Sequence, residues 1–426
     1  MKRVYFYLYL LIFIFLALPV VKVYGSARVE QILLLAAFAV VFIDDIISKK
    51  IDFKILSILT IGGIILVLVS LNSAYDKVDE TNRFIKFLFI YPVTFYVAAA
   101  MTRKLELNEI VTLLDLSLLF YVVSWFIVMY IPLPMNILKN FVHLREFGWG
   151  DEFLPIQGTF YEAGALAIIS GSVLLISILI RYEFNIWFLK RQYNYLLYFL
   201  VLYMIIISKN KTIWLALVMI LVTLVLYRFY LKIIRSNNFY SQKQLNKDPV
   251  LSKYLKLKVS YLIIGALVLV LLFFIYNTFS PEPIITMDMF EYKLKHERGA
   301  QFAITWDLIE KSNYFGGYGF GFVEVYFEGL NIMGVGADSG SINNIFLDIW
   351  LQASFLGVVY LLVIFYISFD NRLFLTMVIP LYFLFFGMTN PVVSEEFFLM
   401  LGISYGFSRM LEVSEYKKLD VKRLKC

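Results

Sequence analysis

Apolar segments long enough to cross a lipid bilayer recur along almost the whole chain, and one long polar segment interrupts them late. A helix needs about 20 residues to span the hydrocarbon core of a bilayer, which is about 30 Å thick. About twelve runs approach that length, namely 4–21, 30–46, 55–71, 84–101, 110–131, 164–180, 195–208, 212–227, 259–277, 343–368, 373–388 and 397–411. The seventh and eighth runs are short and adjacent, so they form either a tight helical hairpin or one interrupted helix.

The composition favours lipid as the solvent of the protein surface. Of the 426 residues, 61% are hydrophobic and 16% are charged, and the mean hydropathy is +0.78. Soluble domains average about 45–50% apolar residues. A water-facing surface of this size needs more charge, whereas lipid solvates an apolar exterior. We therefore predict an all-α polytopic membrane protein with about twelve transmembrane helices.

The two ends of the chain set further limits. The first apolar run follows Lys2 and Arg3, as in a signal peptide. It is long for a signal peptide and no convincing cleavage site follows it, so we predict a retained first span. The only cysteine is Cys426, which excludes an intrachain disulfide and a CxxC metal site.

Lysine and arginine predict the orientation. They are denser in the segments that face the cytoplasm if the N-terminus is cytoplasmic, as the positive-inside rule requires. The strongest such segment is Arg228 to Lys258, with eight basic residues. We interpret it as a topology determinant that contacts anionic lipid. Nucleic acid is not an expected partner, because no base-stacking motif accompanies the charge. The C-terminus is then cytoplasmic as well.

This topology predicts four regions: a membrane domain with spans one to nine at 1–277, a large extracytoplasmic loop at 278–343, a membrane region with spans ten to twelve at 344–411, and a cytoplasmic tail at 412–426. The first membrane domain contains an outer loop at 132–163 and a basic cytoplasmic loop at 228–258. Both histidines, His143 and His296, fall in the two long outer loops. Long structured loops are usually functional.

The large outer loop contains a predicted amphipathic helix. Phe302, Trp306 and Ile309 recur at helical spacing and form a narrow apolar stripe. We expect this helix to lie on the membrane surface, with Trp306 at the interface. Arg298 begins the helix, where free backbone N–H groups attract anions. A guanidinium there suits a diphosphate, and the alternative is a solvated arginine.

Glycines follow this helix at Gly316, Gly317, Gly319 and Gly321. Glycine allows a tight turn and close approach of the backbone to a ligand, and the intervening aromatic residues are able to stack on sugar rings. The segment is neither a Walker nor a dinucleotide motif. An irregular loop without a ligand is the alternative.

Other outer positions carry charge. Glu162 at the start of the sixth span either complements the helix dipole or acts as a base. Lys209 and Lys211 oppose the positive-inside trend, so they either bind an anionic head group or snorkel. Asp115 and Asp348 are the clearest ionisable residues within spans, where such residues are often functional.

Taken in order, these segments resemble the O-antigen polymerase and ligase superfamily. Its members are bacterial polytopic enzymes of the GT-C type that act on undecaprenyl-diphosphate-linked glycans. The matching positions are Gly158, Phe160 and Glu162, Ser208 to Trp214, Arg298, Trp306, Gly317, Gly319 and Gly321, and Asn343 and Asn344 with Gly357. The chain departs at Lys211, Tyr314 and Asn343, where the family has arginine, proline and histidine. The ligase branch relies on that histidine, and asparagine does not titrate, so a polymerase is favoured.

The resemblance implies a GT-C-like, Wzy-type glycosyltransferase of the bacterial inner membrane. It would polymerise polyprenyl-diphosphate-linked repeat units into O-antigen, capsule or exopolysaccharide. We predict that Arg298, Lys211 and Arg145 bind the diphosphate. Glu162 is the predicted base, and His296 and Asp338 are the next candidates for that role. Trp306, Tyr318 and Phe320 are predicted to line the glycan path, and the other predicted substrate-binding residues are Gly317, Gly319, Gly321 and Asn344.

We expect no metal and no cofactor, because a lipid diphosphate is already an activated leaving group. The expected partners are the lipid-linked donor and acceptor glycans, membrane lipid, a chain-length regulator and a flippase. The alternatives are an O-antigen ligase, a lipid-linked oligosaccharide flippase or other transporter, and a scaffold of an assembly complex. A transporter predicts basic residues along the spans and short outer loops, and this sequence has the reverse pattern.

Overall fold

The chain is helical in the part that its computed structural model describes. That part comprises residues 2–17, 22–24, 27–71, 85–130, 163–184, 191–207, 298–329, 342, 344–370, 374–388 and 395–423. Two very short antiparallel strands, β1 (Lys22–Tyr24) and β2 (Ala27–Arg28), are the exception within it. The prediction of an all-α protein is thus confirmed for these residues.

The helices follow the predicted apolar runs closely. In chain order they are α1 (Lys2–Leu16), α2 (Val29–Ile47), α3 (Phe53–Leu71), α4 (Tyr91–Lys104), α5 (Leu107–Tyr130), α6 (Ala163–Phe184), α7 (Arg191–Ile207), α8 (Arg298–Lys311), α9 (Phe322–Gly329), α10 (Ile345–Ser368), α11 (Phe374–Gly387) and α12 (Glu395–Arg423). A π-helical turn at Lys86–Ile90 runs directly into α4. It precedes Pro92, which lacks the N–H that would continue a regular ladder.

Two of these helices are long and apolar enough to cross a membrane by length and composition. They are the segment Leu107–Val128 of α5 and the whole of α10. The other apolar helices are shorter, and the predicted spans at 212–227 and 259–277 lie outside the described residues. The outer loop at 132–162 and the basic loop at 228–258 lie outside them as well. The count of about twelve spans therefore stays a prediction.

Close packing of α4 against α12 forms the most extensive helix contact in the described core. Gly402 and Gly406 lie one turn apart on α12. A Cβ atom added at Gly402 would be 2.5 Å from the carbonyl oxygen of Phe95, and one at Gly406 would be 2.7 Å from that of Ala99. Small residues at such an interface let two helix backbones approach closely.

A partly buried charge cluster connects α1, α2 and α4 at one end of the bundle. Lys104 pairs with Asp44 and with Asp45, whose Oδ1 lies 2.7 Å from the lysine Nζ. The hydroxyl of Tyr5 donates to Asp44 at 2.5 Å, and that of Tyr96 donates to Asp45 at 2.7 Å. Because each carboxylate receives several donors, its burial is compensated.

A second buried ion pair joins α5, α6 and α7. Asp115 of α5 pairs with Arg181 of α6, and both side chains are buried. Arg181 also donates to Ser177 and lies 5.3 Å from the ring of Tyr198 on α7. Asp115, an ionisable residue of the fifth predicted span, thus serves to hold three helices together.

We expect Gly402→Val to destabilise the protein by about 1–3 kcal/mol, because the added side chain overlaps the α4 backbone and forces the helices apart. The measurement is the midpoint of thermal unfolding in detergent. Val123→Leu, at an exposed position of α5, is the matched control and should leave the midpoint unchanged. An unchanged midpoint for Gly402→Val would contradict the close packing of α4 and α12.

Candidate functional site

The predicted amphipathic helix is present as α8 and packs against α10. One residue of its apolar stripe is buried in a core, and the other two are exposed. Ile309 is fully buried in a small core that α8 forms with α9 and the first half of α10. Phe302 and Trp306 are exposed on the outer side of α8. The helix therefore uses one part of the stripe for packing and leaves two aromatic rings accessible.

Helix α8 ends in a turn with two residues in the left-handed region. The φ angles are 55° at Asn313 and 64° at Tyr314, a conformation that is rare for a bulky side chain. The Tyr314 N–H donates to the carbonyl of Ile309 at 3.0 Å, and the Tyr314 carbonyl accepts from Trp350 Nε1 at 2.7 Å. Contacts from both sides thus hold the turn in place. Proline, with φ fixed near −65°, does not fit this backbone.

Helix α10 is broken inside the predicted tenth span. Ala353 has φ −126° and ψ 22°, and Ser354 has φ 63° and ψ −177°. Ser354 therefore occupies a region that glycine alone adopts readily. In a continuous helix, the carbonyls of Leu351 and Gln352 would accept from the amides four residues later. The break instead starts a second half-helix, in which the Ser354 hydroxyl accepts from Leu356 N at 3.2 Å.

The glycine loop supplies the donors that the broken helix lacks. Tyr318 N donates to the carbonyl of Leu351 at 2.6 Å, and Gly319 N donates to that of Gln352 at 3.0 Å. Gly321 N also approaches the Gln352 side-chain oxygen at 3.4 Å. Backbone groups from the glycine loop thus complete the hydrogen bonding of a helix that is long and apolar enough to cross a membrane.

Each of three glycines has a geometric reason to be glycine. A Cβ atom at Gly317 would lie 2.7 Å from the backbone nitrogen of Ser354. Gly319 and Gly321 have φ angles of 96° and 93°, which side chains disfavour. All three positions were predicted to bind substrate. In the structure, their spacing is explained by docking of the loop on α10.

The aromatic residues of the loop are packed. The Tyr318 hydroxyl donates to the carbonyl of Leu308 at 2.8 Å, and its ring stacks on Phe322 at 4.4 Å between centroids. Phe320 is fully buried and stacks on Phe87 at 4.8 Å. Both were predicted to line the glycan path, together with Trp306. In this conformation Phe320 belongs to the core, and Trp306 is the member of the three with an exposed ring.

Asn344 caps the N-terminus of α10. Its Oδ1 accepts from Phe346 N at 2.9 Å and from Leu347 N at 3.1 Å, and its Nδ2 donates to the carbonyl of Met388 at 3.1 Å. Asparagine is among the best N-cap residues. A capping role thus accounts for this residue, which was predicted to bind substrate. Asp348 is buried in the first turn of the same helix, where the helix dipole favours negative charge.

Sequence reasoning missed Trp350, Gln352 and Ser354, although all three shape the site. Gln352 is fully buried and Ser354 nearly so. Gln352 and Ser354 form a polar interruption in the mainly apolar run from Ile349 to Phe365, and that interruption was the available signal.

Several predicted site residues lie outside the described part of the chain: Glu162, His296, Asp338, Lys211 and Arg145. Arg298 is the first residue of α8, and its side chain also lies outside the description. Within the described residues, no group of three or more His, Cys, Asp or Glu side chains is placed to hold a metal ion.

No protein-family model matches this chain, and no curated protein matches it. The interpretation of the site therefore comes from its geometry. The glycine loop donates hydrogen bonds to the carbonyls at the break of an apolar helix, and an aromatic surface lies beside this contact.

We expect Gly317→Val to undock the glycine loop, because the side chain would collide with the backbone at Ser354. Hydrogen–deuterium exchange of the peptide that contains Tyr318 and Gly319 should become faster by about tenfold, as a collision of ~1–3 kcal/mol implies. Phe315→Leu, at the exposed neighbouring position, is the control with unchanged exchange. Equal protection in wild type and Gly317→Val would refute the docking.

We expect Tyr314→Pro to destabilise the protein by about 2 kcal/mol or more, since it removes the bond to Ile309 and forbids the observed φ. Tyr314→Gly adopts this φ without strain and should stay within about 1 kcal/mol of wild type. Thermal unfolding in detergent compares the two variants. Similar midpoints for both would show that the left-handed turn is not required.

Proposed function

We propose that this protein is a glycosyltransferase of the bacterial cytoplasmic membrane. It polymerises polyprenyl-diphosphate-linked repeat units on the outer face into O-antigen, capsule or exopolysaccharide. The proposal includes about twelve spans, a GT-C-like arrangement and cytoplasmic termini. The observation that carries it is the docking of the glycine loop into the break of α10, which holds the segment that contains Arg298 against a candidate span.

Exposed apolar surface supports a location in the membrane. On α10, Phe355, Val359, Leu362 and Tyr366 are all exposed and follow one another at helical spacing, so they form one apolar stripe. Similar exposed residues occur on other helices, among them Ile61, Ile65 and Leu68 of α3 and Leu119, Val123 and Ile127 of α5. Soluble monomers rarely expose apolar patches this large. Lipid tails would solvate these stripes.

The position of the loop suits a lipid-linked substrate. Gln352 lies seven residues into α10, which is about 10 Å along the helix axis from Ile345. On the proposed topology, the glycine loop therefore contacts the outer third of α10, about 10 Å from the helix end where a membrane boundary is expected. A lipid diphosphate presents its phosphates and its sugar at that boundary.

The proposed reaction transfers a glycan between two lipid carriers. A hydroxyl of the acceptor sugar attacks the anomeric carbon of the donor glycan. The bond from that carbon to the diphosphate oxygen breaks, and polyprenyl diphosphate leaves. We assign the leaving diphosphate to Arg298, Lys211 and Arg145, since fixed positive charge stabilises a developing anion. Glu162 takes the hydroxyl proton as general base.

The test is complementation of a bacterial strain that lacks this protein with Arg298→Ala, followed by gel analysis of the surface glycan. A polymerase defect leaves single repeat units attached to their acceptor and abolishes the ladder of longer chains. Lys311→Ala removes an exposed cation from the same helix and is the matched control. It should preserve the ladder.

Other outcomes of this experiment indicate other functions. Loss of all attached repeat units indicates a ligase. Repeat units retained on the cytoplasmic leaflet indicate a flippase. A normal ladder with Arg298→Ala, at wild-type protein levels, refutes the assignment of Arg298.

A further inference from the structure

Aromatic side chains form a continuous surface where α8 meets the break of α10. This aromatic ledge consists of Phe302, Trp306, Tyr314, Phe315, Trp350 and Phe355. Trp306 lies 6.3 Å from Phe302, 6.3 Å from Tyr314 and 6.4 Å from Trp350, between ring centroids. Phe355 lies 5.6 Å from Trp350 and 6.1 Å from Phe315. Each ring thus contacts at least one other ring of the ledge.

The ledge is accessible. The exposed fractions are 54% for Phe302, 40% for Trp306, 43% for Tyr314, 77% for Phe315 and 39% for Phe355. Aromatic residues dominate binding energetics because each buries a large rigid area. A cluster of this extent therefore indicates a partner.

The two indole N–H groups of the ledge are already paired with acceptors of this chain. Trp306 Nε1 donates to Glu310 at 2.9 Å, and Trp350 Nε1 donates to the carbonyl of Tyr314 at 2.7 Å. The accessible ring faces thus present carbon, and the exposed Glu310 carboxylate lies beside Trp306. Sugar hydroxyls need polar partners beside an aromatic ring, whereas a hydrocarbon chain needs none.

The two ends of the ledge indicate which hydrocarbon it binds. At one end, Phe355 begins the exposed apolar stripe of α10 that continues through Val359 and Leu362. At the other end, Phe302 follows Arg298, the first residue of α8, by four residues, which is about one helical turn. The ledge therefore connects the proposed diphosphate position with the lipid-facing surface.

We infer that the aromatic ledge binds the polyisoprenoid chain of the lipid-linked substrate, next to its diphosphate. The inference rests on the proposed function and deepens it. It assigns the Trp306 ring to the hydrocarbon rather than to the glycan. The isoprenoid chain runs from Arg298 past Phe302 and Trp306 toward Phe355, and this contact contributes to binding of the lipid carrier.

Photocrosslinking tests the ledge directly. The purified full chain in phospholipid nanodiscs is irradiated with polyprenyl diphosphate that has a benzophenone on its hydrocarbon chain, and labelled peptides are mapped by mass spectrometry. We expect label on the peptides that contain Phe302, Trp306 and Phe355, and competition by unmodified polyprenyl diphosphate. Equal labelling by photoreactive phosphatidylcholine would overturn the inference in favour of a bilayer contact. Labelling by a photoreactive soluble oligosaccharide would overturn it in favour of a glycan platform.

Variants at exposed positions supply a second readout. The double variant Phe302→Ser, Phe315→Ser should raise the KM for the lipid-linked repeat unit by about tenfold with kcat unchanged. Phe199→Ser, at an exposed aromatic position of α7, is the matched control and should change neither constant. An unchanged KM in the double variant would overturn the inference.

The two proposals fail differently. If the purified protein polymerises lipid-linked repeat units but the ledge acquires no label, the ledge inference is wrong and the proposed function stands. If the protein neither polymerises these units nor binds polyprenyl diphosphate, the proposed function fails and the ledge inference fails with it.

Discussion

Two backbone carbonyls in α10 need hydrogen-bond donors, and the architecture of the candidate site follows from that need. A carbonyl left unpaired in an apolar environment costs several kcal/mol, so a break in a membrane helix persists only where another group completes it. Tyr318 N and Gly319 N provide that completion for Leu351 and Gln352. The same contact fixes the glycine loop, and through the loop it fixes α8. The chemistry proposed for the outer segment therefore depends on hydrogen bonds made inside a candidate span.

The glycine pattern has a structural explanation that does not involve a ligand. Gly317 allows close approach to the break, and Gly319 and Gly321 allow backbone angles that side chains disfavour. Ser354, at φ 63°, stores strain of about 1–3 kcal/mol that the surrounding contacts must offset. Strain of this kind concentrates at functional sites. The loop thus acts as a scaffold that holds α8 against the break of α10.

Hydropathy and periodicity were sufficient to predict most of the described helices, because long apolar runs and the spacing of Phe302, Trp306 and Ile309 are typical of helical structure. They did not predict α9. They did not predict the break in α10, because one serine with φ 63° hardly changes the mean hydropathy of a long apolar run. They also did not distinguish Phe320, which is buried, from Trp306, which is exposed, because burial depends on tertiary contacts. The capping role of Asn344 was accessible from sequence, since asparagine before an apolar helix is a typical N-cap.

The described ion pairs with buried partners gather at one end of the bundle. Helices α4 and α12 run parallel, because successive turns of one contact successive turns of the other. Lys104 lies at the end of α4, and Arg409 lies on α12, with its Nε 3.6 Å from Asp52 Oδ2. These two charged groups are therefore at the same end of the bundle. The Ser408 hydroxyl donates to Asp370, which lies just after α10, so α10 also ends there and begins at the opposite end of the bundle.

At that opposite end, the glycine loop is held by backbone hydrogen bonds and ring contacts, and the α8 pair Asp307–Lys311 is exposed. Charge pairs in a low-dielectric interior resist separation, whereas a docked loop opens at a lower free energy. The described part of the bundle is therefore asymmetric, with one end held by ion pairs and the other end held by a docked loop.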